Sequence, residues 1–255
     1  MEKVIEVLFA PAEFAALPKR DLRETICVVL DVLRATSSMV TALGNGAEAL
    51  MPVEEISEAL AIKAKDPGVL LAGERHGVRI EGALSGGVRF DFGNSPREFT
   101  RDKVRGKRIV TTTTNGTRAL RACAKAKLIL VSAFLNLEAT LAILKKRRAK
   151  DILLVCSGTF EECAYEDVLA AGALGAALHK SFNVDDEVTD SALLARLAWY
   201  REENQLFSAL QGSRNGYRLL QKPELKDDVS FCAQRDIFPF AAQMAKDGWV
   251  RRIRR

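Results

Sequence analysis

Histidine is scarce. The chain of 255 residues has two, His76 and His179, far apart in sequence. That argues against a zinc site and against a histidine-based triad. The five cysteines, Cys27, Cys123, Cys156, Cys163 and Cys232, are an odd set with no C-x-x-C pair. Such usage suits reduced thiols in a cytoplasmic protein, not a disulfide framework. No apolar run reaches the roughly 18 residues of a membrane span. Glu2 and Glu6 fall within the first apolar run, which is wrong for a signal peptide. Familiar phosphate signatures are missing as well. There is no G-x-x-x-x-G-K-[ST] loop. Six places after Cys156 stands Glu162, where a phosphate-cradling cysteine loop has arginine, and two places after Asp31 stands Leu33, not a second aspartate. Gly44, Gly46 and Ala49 only loosely fit a dinucleotide fingerprint, and they close a helix instead of opening one.

What is present suits a globular chain. It is 48% hydrophobic with near-zero mean hydropathy, enough for one large α/β domain over residues 1–255. Two subdomains sharing one site, about 1–150 and 151–255, are the alternative division. The net charge is +5, and much of the excess sits in two runs, Lys145, Lys146, Arg147, Arg148, Lys150 and Arg251, Arg252, Arg254, Arg255. These runs lack interleaved aromatics, so they read as solvated surface and not as a nucleic-acid site. A mild positive balance would still steer an anionic substrate. A homodimer is the assembly expected of a soluble enzyme.

The elements alternate. Strands are expected at Val4–Phe9, Ile26–Leu30, Ala49–Val53, Val69–Ala72, Ile109–Val110, Leu128–Val131 and Ile152–Val155. Ile26–Leu30 is apolar throughout, as in a parallel strand buried on both faces. Helices are expected at Ser37–Leu43, Ile56–Lys65, Leu137–Lys146, Glu166–Lys180, Ser191–Leu210 and Asn215–Leu220, with a last strand at Trp249–Ile253. Strand, polar turn and helix in repetition predict a mostly parallel sheet with helices on both faces and a helical C-terminal portion.

In such sheets ligands sit at the carboxyl ends of strands. That rule selects Asp31, Arg34, Thr36, Ser37 and Ser38 after one strand, and Gly73, Glu74 and Arg75 after another. It selects Thr111–Thr117 after a third, and Cys156, Ser157, Gly158 and Thr159 after a fourth. Within the threonine turn, Thr113, Thr114, Asn115, Gly116 and Thr117 combine hydroxyls, a capping amide and a flexible glycine at a helix start, a cradle for a small anion. The plain alternative is that they only cap the helix. Arg34 and Arg75 could each grip a phosphate or sulfonate through paired hydrogen bonds, or stand in surface ion pairs. Asp31, Asp91, Glu166, Asp167 and Asp236 lie at strand ends or polar breaks, where carboxylates beside a phosphate would hold Mg2+. Glu166 and Asp167 also suit a helix first turn, and Asp91 an ordinary turn. Cys156 reads either as a nucleophile before a helix start or as strand packing.

Seven segments in order resemble one family. They are V-L-D-V-L-R-A-T-S-S at 29–38, G-E-R at 73–75, D-F-G-N-S-P at 91–96, T-T-T-T-N-G-T at 111–117, C-S-G at 156–158, E-D at 166–167 and C-A-Q-R-D at 232–236. Together they resemble the 2-phosphosulfolactate phosphatase family across most of the chain. The resemblance implies a three-layer α/β/α fold and a magnesium-dependent phosphohydrolase. It implies cleavage of 2-phospho-3-sulfolactate to 3-sulfolactate and phosphate, a step of coenzyme M synthesis. Asp31, Arg34 and Cys156 are then the candidates for catalysis, with water attack on phosphorus favoured and covalent attack by Cys156 or an aspartate as the rival. Phosphatase action on another small phosphorylated acid, or non-catalytic binding of an anionic metabolite, would use the same polar turns.

Overall fold

A computed structural model describes residues 4–147, 151–179 and 187–253. Glu2, Arg148, Lys150, Lys180, Arg254 and Arg255, named above, lie outside the described residues. The strands are β1 (Val4–Leu8), β2 (Thr25–Leu30), β3 (Ala49–Pro52), β4 (Leu70–Arg75), β5 (Val78–Arg79), β6 (Arg108–Thr112), β7 (Leu128–Ser132), β8 (Asp151–Cys156), β9 (Glu187–Val188), β10 (Ala242–Met244) and β11 (Val250–Arg252). The helices are α1 (Pro11–Phe14), α2 (Ala35–Gly44), α3 (Ile56–Lys65), α4 (Arg101–Val104), α5 (Gly116–Ala122), α6 (Leu137–Arg147), α7 (Tyr165–His179), α8 (Asp190–Glu202), α9 (Leu206–Gly212), α10 (Arg214–Leu220) and α11 (Lys226–Cys232).

The strands form one sheet in the order β5-β4-β6-β3-β11-β10-β7-β2-β8-β1-β9. β4, β6 and β3 pair in parallel, as do β7, β2, β8, β1 and β9. The antiparallel hairpin β10–β11 joins the two blocks. The sheet therefore takes strands from both ends of the chain, and an α/β fold with a mostly parallel sheet is what the sequence pattern predicts.

The side-chain alternation of strands makes the layers. Ile26, Val28 and Leu30 of β2, with Ile152 and Leu154 of β8, face one core shared with Leu169 and Leu174 of α7 and Trp199 of α8. Cys27 and Val29, with Leu153 and Val155, face a second core with Met39, Val40 and Leu43 of α2 and Leu120 of α5. All six residues of β2 are buried, which is why its sequence carries no polar alternation.

Three elements differ from expectation. The helix expected over Ser191–Leu210 is broken into α8 and α9 by Glu203–Gln205, and the break lets Leu206 and Leu210 of α9 turn into the core below Trp199. Lys226–Cys232 is helical where the sequence shows only mixed polarity, because Val229 and Cys232 point inward one turn apart. β10 is three residues long and gives no periodic signal; its place is fixed by pairing with Ile129–Val131 of β7.

Candidate active site

β2 ends at Leu30, immediately before Asp31, and β6 ends at Thr112, immediately before Thr113. These ends meet. A Cβ placed on Gly116 would stand 2.5 Å from Asp31 Oδ2 and 2.6 Å from Ala35 Cβ. Glycine is required there so that α5 can close onto the carboxylate. Asp31 Oδ1 accepts from the Ala35 N–H at 3.0 Å, which sets its charge on the first turn of α2.

Around this junction lies a cleft of about 600 Å³. Its lining includes Asp31, Arg34, Glu74, Thr113, Thr114 and Asn115 from the strand-end turns, with Gly158 and Thr159 after β8 and Asn215, Arg218 and Lys222 from α10 and the turn that follows it. Buried Glu74 holds the β6 turn in place: Oε1 accepts from Thr114 N and Thr114 Oγ1, both at 2.9 Å, and Oε2 accepts from Gly77 N at 2.6 Å. Asn115 Nδ2 donates to Phe160 O at 2.9 Å, while its Oδ1 is buried without a partner. Arg34 is buried, donating to Asp228 Oδ2 at 2.9 Å and to Gly77 O at 3.1 Å.

Behind Asp31 the first turn of α7 brings two more carboxylates. Asp167 Oδ1 accepts from Val32 N at 2.8 Å and Oδ2 from Gly158 N at 3.2 Å, stitching the end of β2 to the turn after β8. Glu166 Oε1 accepts from Asn215 Nδ2 at 2.6 Å, and its Oε2 is buried with no partner. Burial pushes the Asp31 carboxyl up to about 7; the Ala35 N–H opposes this, and the charges of Glu166 and Glu74 add to it. Asp167 is raised well above the carboxylate range by burial and then by Asp31 and Glu166. Glu166 is raised by burial, against the pull of the Asn215 amide. Burial and mutual repulsion thus favour the protonated forms of these carboxyls as long as no cation lies among them.

Other expected site residues serve the fold instead. Thr36 Oγ1 accepts from Asp31 N and donates to Asp31 O, both at 2.9 Å. Ser37 Oγ donates to Val32 O at 2.7 Å. Their hydroxyls close the turn and do not face the cleft. Thr117 Oγ1 donates to Thr113 O at 3.1 Å within its own buried turn. Ser157 is fully buried, with Oγ unpartnered. Arg75 is spent on Glu74 O, Glu54 O and Thr112 Oγ1, and Glu74 takes the place in the cleft that the sequence suggested for it. Asp91 accepts from Leu71 N at 2.7 Å, and Asp236 caps α6 through Glu138 N at 2.7 Å; neither lines the cleft. Cys156 continues the inward-facing set of β8 and is completely buried beside α7. Burial, then the charge of Asp167, pushes its thiol well above the usual range. A nucleophile needs an accessible thiolate, so the nucleophilic reading of Cys156 is corrected to packing.

Sequence reasoning missed the wall formed by Asn215, Arg218 and Lys222, and it missed Asp228. The signal was present in the spacing: Asn215 and Arg218 lie one turn apart on α10, and Lys222 follows one further turn on. Read as a plain helix, α10 gave no reason to look toward β2.

Among the described residues, no three His, Cys, Asp or Glu side chains form a ready-made metal cage. Mg2+ needs less, because it keeps several waters and takes one or two carboxylates with substrate phosphate oxygens. Asp31 at the cleft and the orphaned Glu166 Oε2 fit that demand. Asp167, saturated by two backbone N–H groups, fits a supporting place.

An α/β protein with carboxylates, arginine and hydroxyls converging at strand ends belongs to the class that handles small anions. Sequence comparison narrows the class. The family model for 2-phosphosulpholactate phosphatase matches residues 13–247, and the chain belongs to that family. A Pseudothermotoga lettingae protein named probable 2-phosphosulfolactate phosphatase is 36% identical over 248 residues, covering 97% of this chain and 99% of its own. Proteins of the same name from Caldanaerobacter subterraneus and Thermotoga petrophila are 38% and 40% identical, covering 93% and 83% of this chain and 95% and 85% of their own. The family is one of phosphoric monoester hydrolases, and this chain is an enzyme of that kind. Among the described residues, no helix is long and apolar enough to cross a membrane.

Proposed function

We propose that the cleft hydrolyses 2-phospho-3-sulfolactate to 3-sulfolactate and phosphate with the help of Mg2+. The observation that supports this reading is the close junction of Asp31 with the Thr113–Gly116 turn, in front of the buried carboxyls of Glu166 and Asp167. Phosphate and carboxylates repel each other unless a cation lies between them. Asp31 and Glu166 would hold Mg2+, which would supply positive charge against the phosphate and make a water more acidic. The Thr113 hydroxyl, which accepts from Thr117 N at 3.3 Å and keeps its own proton to donate, would orient the phosphate, with Thr114 and Asn115 holding the turn in place through Glu74 and Phe160. Arg34, fixed by Asp228, stabilises the charge that spreads over the phosphoryl oxygens as the ester bond breaks. Burial holds the metal-free Asp31 carboxyl near 7, and a bound cation would offset that and keep Asp31 ionised as a ligand. Burial of Cys156 favours water attack over a cysteinyl intermediate.

The test is phosphate release from a panel of small phosphorylated acids, with magnesium and with EDTA. Selective, magnesium-dependent turnover of phosphosulfolactate is expected. Equal turnover of every phosphomonoester would instead mark a broader phosphatase. A role in coenzyme M synthesis and a cytoplasmic location accord with this reading and belong to the same proposal.

A further inference from the structure

The cleft has a second charged end. Arg34 reaches it from β2, and Lys222 reaches it from the turn between α10 and α11. Lys222 is half-buried, and its Nζ donates to the carbonyl of His76 at 3.3 Å. Gly77 lies between the two cations. A Cβ there would stand 3.4 Å from Lys222 Nζ and 4.0 Å from Arg34 Nη2. Arg34 has Asp228 as its counter-charge at 2.9 Å. Among the described residues, no carboxylate forms an ion pair with Lys222, nor with Arg218, which lies over the Phe160 ring at 5.1 Å. Two cations thus converge on one backbone position; Asp228 pairs with Arg34, and Glu74, which accepts from Gly77 N at 2.6 Å, spends its other oxygen on Thr114, so Lys222 is the cation left without an ion pair among the described residues. Like charges so placed favour an anion in the space they share.

We propose that Lys222, beside Arg34, binds the second, non-reacting acid group of the substrate and so determines its specificity. This rests on the hydrolase reading above and adds to it the residue that selects the substrate by its non-reacting acid group. The phosphate occupies the Asp31–Asn115 end, because the threonine turn and the carboxylate cluster lie there. The second anion occupies the Gly77 end, where the Lys222 ammonium borders the cleft with no ion pair among the described residues. A lysine ammonium is a compact point charge on a flexible stem, suited to a group held by charge more than by a fixed fork.

The test is calorimetric titration of the native chain and the Lys222→Met variant, in magnesium buffer, with two probes, 3-sulfolactate and inorganic phosphate. Methionine keeps an unbranched apolar stem. The variant is expected to lose about tenfold or more in sulfolactate affinity relative to phosphate affinity, with Lys222→Arg recovering most of the ratio. Lactate, which lacks the sulfonate, separates the two sources. If Lys222 holds the carboxylate, lactate binding weakens in step; if it holds the sulfonate, lactate is indifferent to the substitution. Equal loss for both main probes, no loss for either, or no sulfolactate binding by the native chain overturns the proposal. Because the readout is binding, failure of the hydrolase reading shows separately, as sulfolactate binding without turnover.

Discussion

Arg34 and Asp228 lie 194 positions apart in sequence and meet at 2.9 Å, with side chains 4% and 0% exposed. The other carboxylate oxygen of Asp228 accepts from Ser95 Oγ at 2.6 Å. Three distant segments, the turn after β2, the 91–96 segment and α11, are therefore fixed to one carboxylate. Removing it leaves a buried guanidinium without its counter-charge, which costs on the order of 3–5 kcal/mol for a pair of this kind. Asp228→Ala is expected to lower the melting temperature sharply and kcat/KM by more than tenfold. Asp228→Asn, which keeps a hydrogen-bond acceptor, should recover much of the stability but less of the activity. Melting curves and steady-state kinetics on both variants check this.

Gly116 faces Asp31 with no room for a side chain. Gly116→Ala forces α5 away from the carboxylate, so activity should fall at least tenfold while the helix itself gains propensity. A variant of native activity would show that the closeness of Asp31 and α5 is not needed for catalysis.

Cys156 packs in the core and takes no part in the chemistry. Cys156→Ala is expected to keep activity within about threefold and to lose about 1 kcal/mol of stability, the scale of one small buried apolar group. A loss of several orders of magnitude with folding intact would restore the thiol to the mechanism.

The metal-free protein should be pH-sensitive. Folding raises the Asp31 carboxyl from its ordinary value of 3.8 to about 7, so the folded state holds a proton that the unfolded chain gives up. Stability is then greatest below about 4 as far as this group is concerned, and it is lost as pH rises toward 7. Asp167 and Glu166 act in the same direction. Asp31→Asn should flatten this slope. Added Mg2+ should raise the melting temperature more at pH 8 than at pH 5. Thermal melts across pH, with and without the ion, measure both effects.

Much of this was legible in the sequence, for reasons that can be named. The unbroken apolar run of β2 marks a strand covered on both faces, and Asp31 at its end inherits the place where parallel sheets present ligands. The threonine turn was legible because capping residues and a glycine stood together after a strand. Hydroxyl direction was not. Thr36 and Ser37 have the right chemistry, but they turn inward to close their own backbone turn. Asp91 and Asp236 look like Asp31 in sequence, yet each accepts from a backbone N–H away from the cleft, that of Leu71 and of Glu138. Lys222 and Asp228 were hidden because their partners, the His76 carbonyl and Arg34, are distant in sequence, and local spacing does not show which way such side chains turn.

The central claim is that Asp31, set against the Thr113–Gly116 turn, serves the hydrolysis of phosphosulfolactate. The most direct measurement is inorganic phosphate released from 2-phospho-3-sulfolactate by the native chain and by Asp31→Asn, each with Mg2+ and each with EDTA, after melting curves show both proteins folded. The account predicts turnover by the native chain with magnesium, and loss of at least a hundredfold on chelation or substitution. A folded Asp31→Asn protein that releases phosphate at the native rate, or a native chain indifferent to EDTA, would contradict it.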